Sequence, residues 1–333
     1  YETGSEESSA FSFSSSILLG VYQLVFGLAK FGLLVNFVSH NVVIGFTAGA
    51  ALLIVSTQIP YILGIHIPRG GSFINTWIDL YSGVGEFNIY LLIVGLGTLV
   101  SAIIIKLVRP KFPYLLIAMF VGGFLALFLS GFTDSIETVG VMPAYFPPLS
   151  SPNFSLNSLK SLAPEAFAIA LLGLIEASSI GRSIATKSNQ RINPSQEFIG
   201  QGTSNIVGSF FSGYASSGSF TRTAVNFESG ARTPLSAILA ALFLMVIVLL
   251  VGPLISYLPL AAMAGIILIV AYNLIDFQSI KKTFTYSKSE SVIFTATFLS
   301  TLIFELEFAI YLGVLLSLML FIAKTSVPEV HTL

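Results

Sequence analysis

The sequence contains no cysteine, and only 9% of its 333 residues are charged. The absence of cysteine excludes disulfide bridges, thiolate metal sites and cysteine nucleophiles. An ordinary soluble domain has about 25% charged residues, so the shortage of charge excludes a water-soluble enzyme and a disordered chain. Fifteen Lys and Arg against sixteen Asp and Glu leave a net charge of −1, which does not attract nucleic acid. With 54% apolar residues, the composition predicts an all-α polytopic membrane protein.

Motifs for cofactor or metal chemistry are also missing. No lysine follows a glycine, so the sequence lacks a P-loop and gives no sign of ATP-driven transport. The three histidines, His40, His66 and His331, are scattered and form no HExxH motif, so no metal site is predicted. His40 is kept as a minor candidate because it lies near a predicted helix start. No cofactor is predicted, and without a catalytic pair inside the membrane an embedded hydrolase is rejected in favour of a non-enzymatic function.

Charged residues are so rare that the gaps between them outline the membrane spans. A membrane helix needs about 20 mostly apolar residues. The 38 residues 31–68 and the 43 residues 233–275 carry no charged side chain, and each is long enough for more than one span. The predicted spans are about 14–32, 37–64, 87–106, 112–132, 164–184, 196–213, 234–251, 258–275, 290–305 and 308–324. Residues 214–231 are too polar and too rich in glycine for an ordinary span.

The basic residues predict the orientation, because cytoplasmic loops are enriched in Lys and Arg. If the spans are threaded with 214–231 as one crossing, 12 of the 15 basic residues fall on the cytoplasmic side. Lys324 is among them, which predicts a cytoplasmic C-terminus in a plasma membrane, the inner one if the source is bacterial. A re-entrant hairpin at 196–231 would reverse the later loops and place Lys281, Lys282 and Lys288 outside.

Glu176, in the run AFAIALLGLIEASSIG, is the only acidic residue well inside any predicted span. A charged carboxylate at that depth costs roughly 2.5–3.5 kcal/mol on insertion scales, so it usually faces a cavity or a partner. We therefore predict that Glu176 carries a proton during function. The alternative is a permanently protonated or paired residue that only packs.

The stretch GYASSGSFTRTAVNFESG at residues 213–230 predicts a half-helix that begins within the membrane near Gly218. The start of a helix presents unpaired N–H groups and about half a positive charge. Ser219 and Thr221 add hydroxyl donors, and Arg222 adds a full charge, so this place suits an anion. The alternative is a Ser/Gly-rich packing surface with Arg222 reaching the membrane interface.

The proline-rich loop 134–163 separates four predicted spans from seven crossings, namely the six later spans and the stretch 214–231. Inverted-repeat transporters have equal halves, so this count predicts that three spans precede the present sequence.

Four stretches resemble the sulfate permease (SulP) family of anion transporters, and they occur in the family's order. NFVSHNVVIGFTAGAA at 36–51 resembles the signature of its fifth helix, and SQEFIGQGTSNIVGSFF at 195–211 resembles its ninth. GYASSGSFTRTAVNFESGARTPLS at 213–236 matches the tenth-helix motif, and LPLAAMAGII at 258–267 resembles the twelfth.

This resemblance implies fourteen segments in two inverted repeats of seven, divided into a core and a gate domain. The chain would then hold segments 4–14, without segments 1–3 and the cytoplasmic STAS domain. Residues 1–133 would be segments 4–7, mostly gate, and 134–163 an external loop. Residues 164–251 would be core segments 8–11 with the anion site, and 252–333 gate segments 12–14.

The resemblance also implies roles for individual residues. Ser219, Phe220, Thr221 and Arg222, preceded by Gly218, match the anion-binding start of the family's tenth segment. Glu176 matches the eighth-segment carboxylate of its proton-coupled bacterial and plant members, which exchangers often lack.

The function predicted is secondary active transport of an inorganic anion, namely proton-coupled sulfate uptake by alternating access, by a homodimer as in the family. The alternatives are a sodium–bicarbonate or dicarboxylate symporter of the same family, a nucleobase–proton symporter of the same architecture, and an uncoupled anion channel or exchanger.

Overall fold

The structure is a computed structural model that describes residues 2–32, 39–68, 71–109, 112–132, 136–140, 148–150, 155–188, 190–304 and 306–326. Of residues 2–12, 186, 187, 220, 221, 253, 254 and 325 it describes the backbone only. The described residues form thirteen α-helices: α1 (Glu2–Leu28), α2 (His40–Leu63), α3 (Phe73–Gly83), α4 (Ile89–Val108), α5 (Tyr114–Leu129), α6 (Leu156–Ser188), α7 (Pro194–Ser209), α8 (Phe220–Glu228), α9 (Leu235–Ile255), α10 (Leu260–Leu274), α11 (Phe277–Tyr286), α12 (Lys288–Ile303) and α13 (Leu306–Ser326). A short 3-10 helix (Val84–Glu86) follows α3.

The chain divides into two compact units, each built from separated stretches of sequence. The first unit comprises Tyr1–Phe46, Phe146–Leu242 and Lys281–Leu333. The second comprises Thr47–Tyr145 and Phe243–Ile280. The candidate anion site, described below, lies in the first unit.

In the first unit, helices α1 and α7 touch backbone to backbone because glycine lines both. A Cβ atom on Gly202 of α7 would lie 2.5 Å from the Leu24 nitrogen and 2.6 Å from the Gly20 oxygen. A Cβ on Gly20 would lie 2.8 Å from the Gly202 oxygen. Small residues allow this approach, and membrane helices gain dispersion energy from it because lipid provides no hydrophobic drive. The other side of α1 packs on α6 through Leu19, which is buried against alanines of α6.

We expect Gly202→Val to disrupt the packing of α1 on α7 and to lower the amount of folded protein. The valine side chain would overlap the backbone of α1, and overpacking of this kind costs about 1–3 kcal/mol or more. Gly200→Val is the matched control, because a Cβ at Gly200 of the same helix meets no atom within 4 Å. Detergent-solubilised variants are compared by size-exclusion yield and melting temperature. Equal values for both variants would contradict the proposed packing.

A polar junction joins the start of α2 to α11, α12 and α13 in the same unit. A carboxylate oxygen of Glu290 accepts hydrogen bonds from the Ser39 hydroxyl and from the Asn41 side-chain amide, the latter at 2.7 Å. Asn41 also accepts from the Thr283 hydroxyl at 2.6 Å, and the Ser39 backbone N–H donates to the Ser317 hydroxyl at 2.7 Å. The junction gives a partner to the Ser39 backbone N–H just before α2 and joins polar side chains of four helices.

In the second unit, α4, α5 and α10 form a tightly packed group of three helices. Val94 of α4, Ala126 of α5 and Ala262 of α10 belong to one buried cluster. A Cβ on Gly265 of α10 would lie 2.5 Å from the Gly95 carbonyl oxygen of α4. As in the first unit, small side chains at the interface set the spacing of the helices.

By length and composition, six helical stretches of the described residues can cross a membrane: His40–Leu63, Ile89–Val108, Leu156–Ala185, Leu235–Gly252, Leu260–Tyr286 (which includes α10 and α11) and Leu306–Lys324. Phe13–Leu28 and Tyr114–Leu129 are apolar but shorter. All eight overlap predicted spans. The remaining two predictions, 196–213 and 290–305, fall on α7 and α12, which have 16 residues each and are less apolar.

Several helices do not begin or end where the predicted spans do, because hydropathy marks the apolar part of a helix and not where the helix ends. Helix α1 begins at Glu2, but its apolar part begins at Phe13, next to the predicted span start at 14, and the helix ends at Leu28, four residues before the predicted end. Helix α6 begins at Leu156, eight residues before the predicted 164, so it takes the end of the predicted loop 134–163. The short helix α3 was not predicted; the Ser72 hydroxyl caps it by accepting from the Asn75 N–H at 3.3 Å.

Candidate anion site

The candidate site is built where α7 ends and the chain turns back. Helix α7 ends at Ser209, and Ser212 adopts a left-handed conformation with φ of 55°, which is unusual for a residue other than glycine. Ser150 holds this turn: its hydroxyl donates to the Ser209 carbonyl at 2.5 Å and accepts from the Ser212 N–H at 3.1 Å. The Ser212 hydroxyl in turn donates to the Pro148 carbonyl at 2.8 Å. A piece of the predicted external loop therefore fixes where the next segment begins.

Residues 213–219, which we call the extended segment, have no helical structure and lie against α6 and α7. The side-chain amide of Asn205 on α7 pairs with both backbone groups of Ser216. Its oxygen accepts from the Ser216 N–H at 2.9 Å, and its nitrogen donates to the Ser216 carbonyl at 3.1 Å. Gln201, one turn earlier on α7, also donates to the Ser216 carbonyl at 3.1 Å. These bonds replace the helical partners that the extended backbone lacks.

Glu176 lies on α6 and is half-buried. The Ser217 hydroxyl of the extended segment donates a hydrogen bond to a Glu176 carboxylate oxygen at 2.9 Å. Gly173, one turn before Glu176, also faces Ser217, since a Cβ there would lie in van der Waals contact with the Ser217 oxygen, at 3.5 Å. Gly218 then packs beside Ile180 of α6. The only acidic residue deep in a predicted span is thus bonded to the segment that leads to the predicted anion site.

The predicted half-helix is present as α8, nine residues long. Ser219 is its N-cap, with extended backbone, and its hydroxyl accepts from the Arg222 N–H at 3.3 Å. The helix ends at Glu228, and Gly230 supplies the left-handed residue, with φ of 96°, that commonly follows a helix. The other N–H groups of the first turn have no partner within α8.

The five residues predicted to bind the anion therefore lie consecutively across the start of α8. Gly218 is exposed, Ser219 is the cap, and Phe220 and Thr221 are the first two helical residues, whose side chains lie outside the described part of the structure. The Arg222 side chain is exposed, and among the described residues it forms no ion pair. A cation at a helix N-terminus adds to the positive end of the helix dipole, so the arrangement favours an anion.

The contacts of the two described histidines, His40 and His66, lie away from the start of α8. His40 lies at the start of α2, and its ring nitrogen Nδ1 is 3.5 Å from the Ser179 hydroxyl of α6. His66 is in the second unit, exposed, with its Nε2 atom 3.4 Å from Glu137. His331 lies outside the described residues. Among the described residues, no group of three or more His, Asp or Glu side chains is arranged to hold a metal ion.

The sequence analysis did not single out the residues that hold the extended segment, which are Ser150, Gln201, Asn205 and Gln23, and it did not predict Ser217 as the partner of Glu176. Gln23 of α1 accepts from the Asn205 side-chain amide at 2.9 Å, and both side chains are almost fully buried. In the sequence, Gln23 and Asn205 stand out as large carboxamides inside apolar segments. Polar groups buried in membrane proteins are usually hydrogen-bonded across helices, so this placement could have indicated the pair.

Comparison with known proteins decides the family. The model of the sulfate permease family matches residues 2–297. The chain belongs to the sulfate permease family. Sulfate transporter 4.1, chloroplastic, of Arabidopsis thaliana is 30% identical to it over 328 residues, which cover 96% of this chain and 47% of that protein. The chain spans about half the length of the curated relatives it matches.

Solved structures of the sulfate permease fold also match. The murine Solute Carrier 26 family member A9 anion transporter, in its inward-facing state, superposes with a TM-score of 0.86 at 24% identity, over 96% of this chain and 53% of that one. The transmembrane domain of the cyanobacterial bicarbonate transporter BicA has a TM-score of 0.76 at 27% identity, over 94% and 77%. These matches confirm the predicted fold class, an all-α membrane protein with part of the inverted-repeat transporter fold.

Proposed function

We propose that this protein is a secondary active transporter that takes up sulfate together with protons, by alternating access to a site at the start of α8. The observation that carries the proposal is the hydrogen bond between Ser217 and Glu176. It joins a carboxyl group that can exchange a proton to the segment that ends at the N-cap of α8. The name of the Arabidopsis relative, a sulfate transporter, supports the choice of substrate.

The chemistry of the site suits a small oxyanion. The start of α8 offers backbone N–H donors, the Ser219 hydroxyl and the exposed Arg222 guanidinium. A guanidinium matches two oxygens of a tetrahedral anion at once, and helix N-termini bind such groups without a large basic cavity. A flat nucleobase would need a different set of polar groups, so the nucleobase alternative is less well supported.

Proton coupling is favoured by the energetics of the substrate. Moving one negative charge inward against an inside-negative potential costs about 2.3 kcal/mol per 100 mV, and a sulfate dianion costs about twice as much. Protons that enter with sulfate offset this cost, and Glu176 is the titratable group bonded to the site. An uncoupled channel or facilitator would have no use for that carboxyl group in the membrane.

Bicarbonate with sodium is the second candidate, because the solved relative BicA is named a bicarbonate transporter and is 27% identical to this chain. A carboxylate near the anion site is also a possible oxygen ligand for sodium. The two candidates differ in the driving ion, so one experiment separates them.

The test is uptake into proteoliposomes that contain the protein in its full-length form. Radiolabelled sulfate and radiolabelled bicarbonate are supplied under an inward proton gradient, an inward sodium gradient or neither. We expect sulfate to accumulate only with the proton gradient. Bicarbonate uptake driven by the sodium gradient would favour sodium–bicarbonate symport over sulfate–proton symport. Uptake that depends on neither gradient would indicate an exchanger or a channel.

The remaining parts of the proposal concern the whole protein. We propose a homodimer in the plasma membrane with a cytoplasmic C-terminus, and transport by movement of a core domain against a gate domain. The family and the distribution of basic residues support these statements. Cross-linking in native membranes and accessibility of an added C-terminal tag test them.

A further inference from the structure

Two side chains that do not belong to the start of α8, Asn205 and Gln23, are bonded to the backbone that leads to it or to each other. The extended segment has no secondary structure of its own, yet it decides where α8 begins and where the Ser217 hydroxyl meets Glu176. Asn205 is the described side chain that bonds both the N–H and the carbonyl of Ser216, the residue directly before Ser217. It also accepts from the Ser216 hydroxyl at 3.3 Å.

Asn205 is itself held by Gln23. The Asn205 nitrogen donates to the Gln23 oxygen at 2.9 Å, so its carboxamide has a fixed orientation, with the nitrogen toward Gln23 and the Ser216 carbonyl. Gln23 is 1% exposed and Asn205 is 3% exposed. Side chains this deeply buried are costly without partners, and they have few other positions to adopt.

The close packing of α1 on α7 puts these two side chains within reach of each other. The glycine contacts at Gly20 and Gly202 bring the two backbones together, and Gln23 and Asn205 each lie three residues further along their helices. Gly173 of α6 leaves space on the third side, since a Cβ there would lie 3.1 Å from the Gln23 amide nitrogen. Helices α1, α6 and α7 therefore meet around the Gln23–Asn205 pair, and on its remaining side this pair contacts the extended segment through Asn205.

We propose that Asn205 and Gln23 are positioning residues for anion transport, which hold the extended segment so that the start of α8 binds the anion and Ser217 reaches Glu176. This inference rests on the transport function proposed above. Neither residue contacts the anion in this view. Both act through the Ser216 backbone, and loss of either loosens the site without removing any of its ligands.

The test is a graded series of variants of the full-length protein, in which KM and maximal rate of sulfate uptake are measured per folded transporter. Asn205→Leu, close in shape to the native residue, removes the bonds from residue 205 to Ser216 and leaves the bond from Gln201 to the Ser216 carbonyl. We expect KM to rise about tenfold with the maximal rate largely kept. Gln23→Met removes only the support of Asn205, and we expect a rise of about threefold. Thr203→Val is the control on α7, because within the described part of the chain the Thr203 hydroxyl donates to the Ile199 carbonyl of its own helix, at 2.7 Å, and to no group of the extended segment.

A merely structural role predicts a different result, namely less folded protein at an unchanged KM. That result for both Asn205→Leu and Gln23→Met would overturn the proposal. If Asn205→Leu does not fold, the KM values of Gln23→Met and Asn205→Asp test the positioning role instead. Asn205→Asp keeps the acceptor for the Ser216 N–H and loses the donor, so a positioning role again raises KM.

A second readout does not depend on transport. Because this chain has no cysteine, Ala215→Cys in the exposed part of the extended segment can be labelled selectively with a maleimide, provided that any other cysteine of the full-length protein is removed. We expect Asn205→Leu to change the labelling rate severalfold and Thr203→Val to leave it unchanged. If the native protein takes up neither anion, the proposed function fails, and labelling alone decides the positioning role. Equal labelling rates would then overturn it.

Discussion

Glu176→Gln is expected to abolish sulfate accumulation driven by a proton gradient while sulfate–sulfate exchange continues. Glutamine keeps the size of the side chain and can still accept the hydrogen bond from Ser217, but it cannot take up or release a proton. Without compensating protons, an opposing potential of about 100 mV costs a dianion about 4.6 kcal/mol. Since 1.4 kcal/mol is a factor of ten, equilibrium accumulation should fall by about three orders of magnitude.

The control for this experiment lies on the same helix. Glu165 of α6 is exposed, eleven residues before Glu176, so Glu165→Gln removes the same charge away from the site. Both variants are measured in proteoliposomes with a proton gradient and, separately, with sulfate on both sides. Glu165→Gln should behave as the native protein does. If sulfate still accumulates in Glu176→Gln under a proton gradient, Glu176 is not the residue that carries the proton.

Arg222→Gln is expected to raise the KM for sulfate about ten- to a hundredfold. The guanidinium is exposed, forms no ion pair among the described residues, and lies in the first turn of α8, where its charge adds to that of the helix end. Hydrogen bonds to charged groups contribute about 1.5–3 kcal/mol, which corresponds to this range. Arg222→Lys keeps the charge but loses the two-oxygen geometry, so we expect an intermediate KM.

Arg232→Gln provides the matched control, because Arg232 is also exposed but follows the C-terminal end of α8. Concentration dependence of uptake and of sulfate-induced thermal stabilisation gives two independent affinities for each variant. If Arg222→Gln and Arg232→Gln gave the same affinity as the native protein, the anion would not bind at the start of α8.

The two predictions concern different steps and can fail separately. Loss of Glu176 should remove the driving force and leave the binding of sulfate intact, whereas loss of Arg222 should weaken binding and leave coupling intact. A variant that lost both properties together would indicate general misfolding. The Gly202→Val variant described above provides that reference, because its damage lies in helix packing and not in the site.

Much of the fold was predictable, because in a membrane the composition of a segment decides whether it can span. The half-helix was predictable for a local reason as well: the glycine and serine run that ends at Gly218 opposes a helix, and Ser219 is a good N-cap. Helix ends were predicted less well, as α1 and α6 show, since residues outside the apolar core extend a helix without changing the hydropathy signal. The division into core and gate ranges stays a prediction.

The sequence by itself determined the membrane class, most of the spans, the break before α8 and the two charged residues of the proposed mechanism. Each is a property of consecutive residues or of a single charge that apolar surroundings make costly. Only the tertiary structure decided that Ser217 meets Glu176, that Asn205 binds the backbone of Ser216 and that Gln23 supports Asn205. Those contacts join residues between 11 and 182 positions apart. The contact between Gln23 and Asn205 depends on how closely glycine lets α1 and α7 approach, and the contact between Ser217 and Glu176 depends on where the extended segment lies against α6. Both are set by packing in three dimensions and not by any local pattern.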